Sequence, residues 1–241
     1  MASVLTLDAL GTLVELQPPA PVLRRELAAR FGIECSEQQA ASALAAEIGF
    51  YRGHLDEGRD HASLGALRRR CAEVLRSALP PSDAIAAVSV DALADALLAS
   101  LRFTAYPDAA PAISLARANG WRVVVASNWD VSLHDVLERL ELAPLLDGVV
   151  TSAEVGARKP SPAVFERALA IVHARPAETI HVGDSVEDDV IGARGAGIEP
   201  VLLDRDGRIA ERVGRPAPQG VRVISTLSEL ELGVGLTPNP R

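Results

Sequence analysis

Residues 3–13 read Ser-Val-Leu-Thr-Leu-Asp-Ala-Leu-Gly-Thr-Leu, a short apolar run that stops at an acidic residue, Asp8. A continuous apolar run of this length, closed by a polar residue, suits a strand buried on both faces of a parallel sheet. Beyond Tyr106-Pro107 the chain continues as an alternation. Pro107–Asn119 predicts a helix, Arg122–Ala126 a strand, Val131–Leu140 a helix and Gly148–Thr151 a strand. A helix over Ser161–His173, a strand over Thr179–Val182, a helix from Val186 to Ala196 and strands at Pro200–Leu203 and Val221–Ile224 follow. Strands alternating with helices imply right-handed crossovers and a parallel sheet covered on both faces, so the expected class is α/β in three layers.

Between the first strand and this alternation the character changes. The stretch is rich in Ala, Leu, Arg and Glu with helical spacing, as at Val22, Leu23, Leu27, Ala28 and Phe31. Glu37–Phe50, Leu64–Leu79 and Val90–Leu101 behave alike, punctuated by Gly32, Gly58 and Pro80-Pro81. Four or five helices and no strands are expected here. The chain then divides into a core of residues 1–17 and 102–232, an inserted all-helical cap of residues 18–101, and a tail at 233–241 whose Gly, Pro and Asn content predicts fraying.

Composition narrows the function. The 241 residues carry a formal net charge of −8 with no dense basic stripe, which argues against nucleic acid as a partner. The short run Arg68-Arg69-Arg70 falls in a helical pattern and reads as a solvated face. Cys35 and Cys71 are too few and too far apart for a zinc knuckle or redox pair, and read as reduced packing residues. The N-terminus lacks a basic leader and no apolar run approaches membrane-spanning length, so a cytoplasmic protein is expected. Of the 24 basic side chains one is lysine, Lys159, and the rest are arginine. Arginine and lysine exchange freely on a solvated surface but not where a compact ammonium is needed. The surviving lysine therefore marks a candidate site, with chance as the plainer account.

Ligands of open parallel sheets bind beyond the carboxyl ends of the strands. Reading past each expected strand gives Asp8, then Ser127-Asn128, then Lys159 in the following loop, then Gly183-Asp184. Carboxylates, a hydroxyl and a cation on one rim are the set that phosphoryl transfer needs. Plainer readings exist for several of them. Asp130 and Ser185 suit helix caps, and Glu187 and Asp188 suit first-turn acids favoured by a helix dipole. No dinucleotide fingerprint, phosphate loop or metalloprotease helix is present.

Asp8-Ala9-Leu10-Gly11-Thr12-Leu13, Ser127-Asn128, Lys159-Pro160 and Gly183–Asp189 running into Gly192–Gly197 resemble, in order, the four motifs of the haloacid dehalogenase superfamily. The resemblance spans nearly the whole chain. It implies a Rossmann-like core with an inserted helical cap, and a magnesium-dependent hydrolase acting on a small, phosphorylated substrate. By that resemblance Asp8 is the nucleophile that forms an aspartyl-phosphate, and Lys159 neutralises charge on it. Thr12 and Ser127 donate to phosphoryl oxygens with Asn128 nearby. Asp8, the Leu10 backbone carbonyl and Asp184 hold Mg2+, with Asp189 orienting from behind and Asp188 pointing elsewhere.

One position departs from the pattern. Phosphatases similar to this chain carry a second aspartate two residues after the nucleophile as general acid, and here that residue is Leu10. Three readings follow. The first is a phosphatase short of its acid, the second a 2-haloacid dehalogenase in which Asp8 attacks carbon and halide leaves unprotonated, and the third a non-catalytic phosphate-ligand binder. Asp184 and Asp189 favour the first, because the dehalogenase branch resembles a metal-free, asparagine-containing pattern. A phosphonate hydrolase using a cap lysine is excluded, since the cap has none. In the cap, Phe50, Tyr51, Arg52 and His54 form an aromatic–basic cluster, either packing at a helix end or presenting Arg52 or His54 to substrate.

Overall fold

The computed structural model describes residues 4–214 and 218–232, so the tail at 233–241 lies outside the described residues. It divides into two compact units, residues 1–15 with 105–241, and residues 16–104. The first unit is built on six parallel strands: β1 (Val4–Leu7), β4 (Arg122–Ser127), β5 (Gly148–Thr151), β6 (Thr179–Gly183), β7 (Glu199–Leu203) and β8 (Arg222–Ile224). Their order across the sheet is β5-β4-β1-β6-β7-β8. This is the expected α/β core, a Rossmann-like parallel sheet with flanking helices.

Every residue of β1 is buried, as its uninterrupted apolar sequence requires. Each fully buried Leu or Val contributes about 1.5–3 kcal/mol of transfer free energy. Val4 packs with Val124, Ala126 and Val150 against Val164 and Ala168 of the helix Pro162–Ile171 and against Val172 at its end, so that this helix covers one face. Because β1 lies between β4 and β6, the carboxyl ends of those three strands come together, which is where the polar residues of the rim follow.

Two details differ from expectation. The helix expected over Val186–Ala196 opens as a π-helical turn over Val186–Ile191, with the Val190 amide reaching the Ser185 carbonyl at 3.2 Å, and becomes α-helix only at Gly192–Gly195. Two short strands were also invisible to pattern, β2 (Val14–Leu16) and β3 (Phe103–Ala105), which pair as a separate two-stranded sheet.

The second unit contains five α-helices, α1 (Pro19–Phe31), α2 (Glu37–His54), α3 (His61–Ala78), α4 (Asp83–Ala87) and α5 (Val90–Ser100). It has its own core of Leu23, Leu27, Leu44, Leu67, Leu75 and Leu93 among others. Ser36, Asp60, Ser82 and Ser89 each cap a helix, with capping boxes at Ser36 and Asp60. Cys71 lies in this core, and neither cysteine forms a disulfide. His54 stacks on Phe50 with ring centroids 4.1 Å apart and bonds the Phe50 carbonyl at 2.7 Å, packing the end of α2. Among the described residues no helix is long and apolar enough to cross a membrane.

Candidate active site

The first unit gathers Asp8, Ser127, Lys159 and Asp189 into one buried network. Asp8 follows β1, and its Oδ1 accepts from Ser127 Oγ at 2.9 Å and Lys159 Nζ at 2.6 Å. Lys159 Nζ also donates to Asp189 Oδ1 at 2.5 Å, and only 1% of its side chain is exposed. A guanidinium is too wide to sit between two carboxylates at these separations, which accounts for a lysine in an otherwise arginine-only chain.

Asp189 is fully committed. Its Oδ1 also lies 2.9 Å from His181 Nε2, and its Oδ2 accepts from the Ser185 amide at 2.9 Å. His181 is buried in β6, opposite Thr6 of β1 in register, and Thr6 Oγ1 lies 3.0 Å from His181 Nδ1. The chain Thr6–His181–Asp189–Lys159–Asp8 thus runs from the sheet interior to the rim.

The one ammonium serves two carboxylates unequally. Although buried, Asp189 is held well below the usual carboxylate range by Lys159 and His181. Burial pushes Asp8 up, and Asp189 adds to this against the pull of Lys159. The two carboxylates outweigh burial at Lys159 and keep it charged far above its ordinary range.

Asp184 joins them from the turn after β6. Asp8, Asp184 and Asp189 each offer a ligand atom within 4.8 Å of the others, three carboxylates against one lysine. Asp189's bonds to Lys159, His181 and Ser185 fit it to support this cluster from behind, whereas Asp8 Oδ2 accepts no hydrogen bond among the described residues.

The loop after Asp8 is wound on itself. The Ala9 carbonyl accepts from the amides of Thr12, Leu13 and Val14, at 3.3, 2.8 and 2.9 Å. Gly11 adopts φ +82°, and a Cβ there would stand 2.4 Å from Asp184 Oδ2. The Leu10 side chain is turned outward, 40% exposed. Thr12 is fully buried, and its Oγ1 has no hydrogen-bond partner among the described residues.

Residues 3–197 match the family model described as haloacid dehalogenase-like hydrolase. The chain belongs to this family. It is 32% identical over 167 residues to the ribulose-1,5-bisphosphate 5-phosphatase of Halopiger xanaduensis, covering 67% of this chain and 68% of that one. It is 32% identical over 108 residues to the glyceraldehyde 3-phosphate phosphatase of Methanothermobacter thermautotrophicus, covering 44% and 48%. The chain spans between 35% and 68% of the length of such curated relatives. The solved haloacid dehalogenase-family phosphatase of Thermococcus onnurineus shares the fold at TM-score 0.64, with 22% identity and 95% of each chain covered. A 2-haloacid dehalogenase from Pseudomonas syringae does so equally, at TM-score 0.65 and 23% identity over 95% and 96%.

As a haloacid dehalogenase-like hydrolase the chain brings further polar residues to the same rim. Asn128, expected beside a phosphoryl group, clamps the Lys159 main chain: its Nδ2 donates to the Lys159 carbonyl at 3.0 Å and its Oδ1 accepts the Lys159 amide at 2.7 Å. Asp188 does not point elsewhere. It is half-buried, which pushes its carboxyl up, and it feels the charges of Asp189, Lys159 and Asp8. The cause is the π turn, whose wider winding brings two adjacent acids to the rim. Ser185 caps as expected, accepting the Asp188 amide at 3.1 Å, whereas Asp130 does not cap a helix: the helix begins at Leu133, and Asp130 accepts the Ser132 amide at 2.7 Å in the turn before it.

Three supporting residues escape the motif reading: His181, Arg205 and Asp108. For His181 the available signal is the pair Thr6 and His181, polar residues in the middle of two adjacent, largely apolar strands. Gly11→Ala tests the close approach to Asp184. Positive φ and the blocked Cβ together should destabilise by more than about 1 kcal/mol and abolish most hydrolase turnover. A melting curve within a degree of wild type would show that the loop yields.

Proposed function

We propose that the chain is a magnesium-dependent phosphatase of small phosphorylated metabolites, working through an aspartyl-phosphate on Asp8. The observation that carries this reading is the cluster of Asp8, Asp184 and Asp189 around Lys159. All-oxygen donors with excess negative charge fit a hard divalent cation bound by one or two carboxylates, a carbonyl, phosphate and water. Asp8, Asp184 and the Leu10 carbonyl would hold it. When bound, such a cation neutralises charge on the phosphoryl oxygens and aligns them with the nucleophile.

The chain's own residues do the rest. Lys159 pulls Asp8 toward its ionised form against burial and orients it, and Ser127 fixes the same oxygen. A carboxylate oxygen of Asp8 attacks phosphorus as the ester P–O bond breaks, and the electron pair leaves on the ester oxygen. Water then attacks the acyl-phosphate, releases inorganic phosphate and regenerates Asp8. The Thr12 hydroxyl, buried without a partner, is a donor in reserve for a phosphoryl oxygen. Leu10 cannot protonate the leaving oxygen, so good leaving groups should be favoured. Substrate choice is assigned to the inserted helical unit. The two phosphatases of phosphorylated sugars among the relatives support a substrate of that kind.

The bare Leu10 position favours one alternative, a dehalogenase in which Asp8 attacks carbon. Phosphate release from an aryl ester, an alkyl ester and chloride release from 2-chloropropionate decide between them, each with Mg2+ and with chelator. Mg2+-dependent release from the aryl ester, weak on the alkyl ester and lost in Asp8→Asn, is the expected result. Chelator-insensitive chloride release would sink the phosphatase reading.

A further inference from the structure

We propose that Arg205 is a positioning residue of the metal site, sorting the carbonyls of the nucleophile loop so that only that of Leu10 is left to face a cation. The inference rests on reading the acidic cluster as a divalent-cation site. Arg205 lies just beyond β7, and its guanidinium reaches back across the sheet edge to the loop that follows β1. Its Nε donates to the Gly11 carbonyl at 3.3 Å and its Nη2 to the Thr12 carbonyl at 2.7 Å.

The guanidinium is itself held on two sides. Asp108 takes it as a fork, with Nη1 to Oδ2 and Nη2 to Oδ1 both at 3.0 Å. Tyr106 lies against its plane, the guanidinium carbon 3.8 Å from the ring centre. Asp108 is anchored in turn by Thr226 Oγ1 at 2.6 Å and the Leu227 amide at 2.8 Å. Four of the five guanidinium N–H groups are thereby used, in a geometry that a lysine cannot reproduce.

The consequence lies in the loop's carbonyl ledger. Ala9 spends its carbonyl on three amides within the loop, and Gly11 and Thr12 spend theirs on Arg205. The Leu10 carbonyl accepts no hydrogen bond among the described residues. Gly11, next along, is pressed against Asp184. Removing the guanidinium would free two competing carbonyls and release the peptide that fixes the one ligand between Asp8 and Asp184.

The test uses Mn2+ alone as probe, followed by the electron paramagnetic resonance of the free ion, with aryl phosphate turnover alongside. Supporting residues around a metal typically cost about 10–100-fold in affinity when lost. Arg205→Ala should bind Mn2+ weaker by about that factor. Added guanidinium ion should restore part of its turnover, and Arg205→Lys should behave like the alanine variant. Unchanged Mn2+ affinity in folded Arg205→Ala, whatever its melting temperature, reduces Arg205 to a packing residue and overturns the proposal. Should that variant not fold, Asp108→Asn carries the same test, and an unaltered Mn2+ affinity there overturns it too. A wild type that binds no Mn2+ refutes the cation reading itself, and the inference with it. That result is distinct from wild-type binding which the variants leave untouched.

Discussion

Replacing Lys159 with methionine should lower aryl phosphate turnover by about 10²–10³-fold, the usual loss when one preorganised electrostatic partner is removed from a reacting centre. It should also unsettle the fold at neutral pH. Lys159 is 1% exposed and bridges Asp8 and Asp189, so its loss strands two carboxylates in a buried site. Removing one member of a buried ion pair costs about 3–5 kcal/mol. The pH dependence makes the test specific. In the wild type Asp189 sits below its ordinary range, so its contribution is complete above the unfolded carboxylate pKa and fades as acid is added. Lys159 sits above its ordinary range, so its share is complete below the unfolded lysine pKa and fades only in strong alkali. In the wild type buried Asp8 sits above its ordinary range and already gains from acid; in Lys159→Met both carboxylates favour protonation, so the rise in melting temperature from pH 8 to pH 5 should be steeper than in the wild type. A variant whose melting profile parallels the wild type would mean that the buried network does not carry the charges described.

Leu10→Asp should act in the opposite direction on activity. Position 10 is 40% exposed, so a carboxylate can be installed there without entering the core or losing much hydration. A positioned general acid contributes about 10²–10⁴-fold, and the benefit grows with the basicity of the leaving group. Turnover of an alkyl phosphate should therefore rise by about 10²-fold or more, and that of an aryl phosphate far less. The ratio of the two rates, taken on one preparation, is the measurement. Equal gains on both esters, or none, would show that proton transfer is not what this site lacks.

Much of the core was legible because the sheet is parallel and buried. Runs such as Val4–Leu7 and Val123–Ala126 have no polar face to confuse with a helix, and each ends at a polar residue. The positions of Asp8, Ser127, Lys159 and Asp184 followed from those endings, Asp189 came from the resemblance, and the lone lysine was readable as a demand for a compact cation. What escaped reading depends on neighbours far along the chain. Arg205 meets Gly11 and Thr12 across about 194 positions, and nothing local to an arginine in a polar loop announces that contact. The π turn escaped for a different reason, since one extra residue in a helical turn leaves apolar spacing almost unchanged while redirecting Asp188. The short strands β2 and β3 owe their existence to each other and have too few residues to carry a period.

Those two strands carry one more implication. At the root of the helical unit, the Gln17 amide reaches the Arg102 carbonyl at 2.8 Å and Gln17 Nε2 reaches Thr104 Oγ1 at 2.9 Å, so the inserted segment leaves and returns through adjoining points. In the other unit the Tyr106 amide closes on the Leu13 carbonyl at 2.9 Å. A segment whose ends already meet imposes little loop-closure entropy on its host, whatever its length. To the sheet, such an insertion is an interchangeable cassette. A lineage could trade one set of helices for another, or shrink it to a turn between Leu16 and Phe103, without disturbing the parallel sheet.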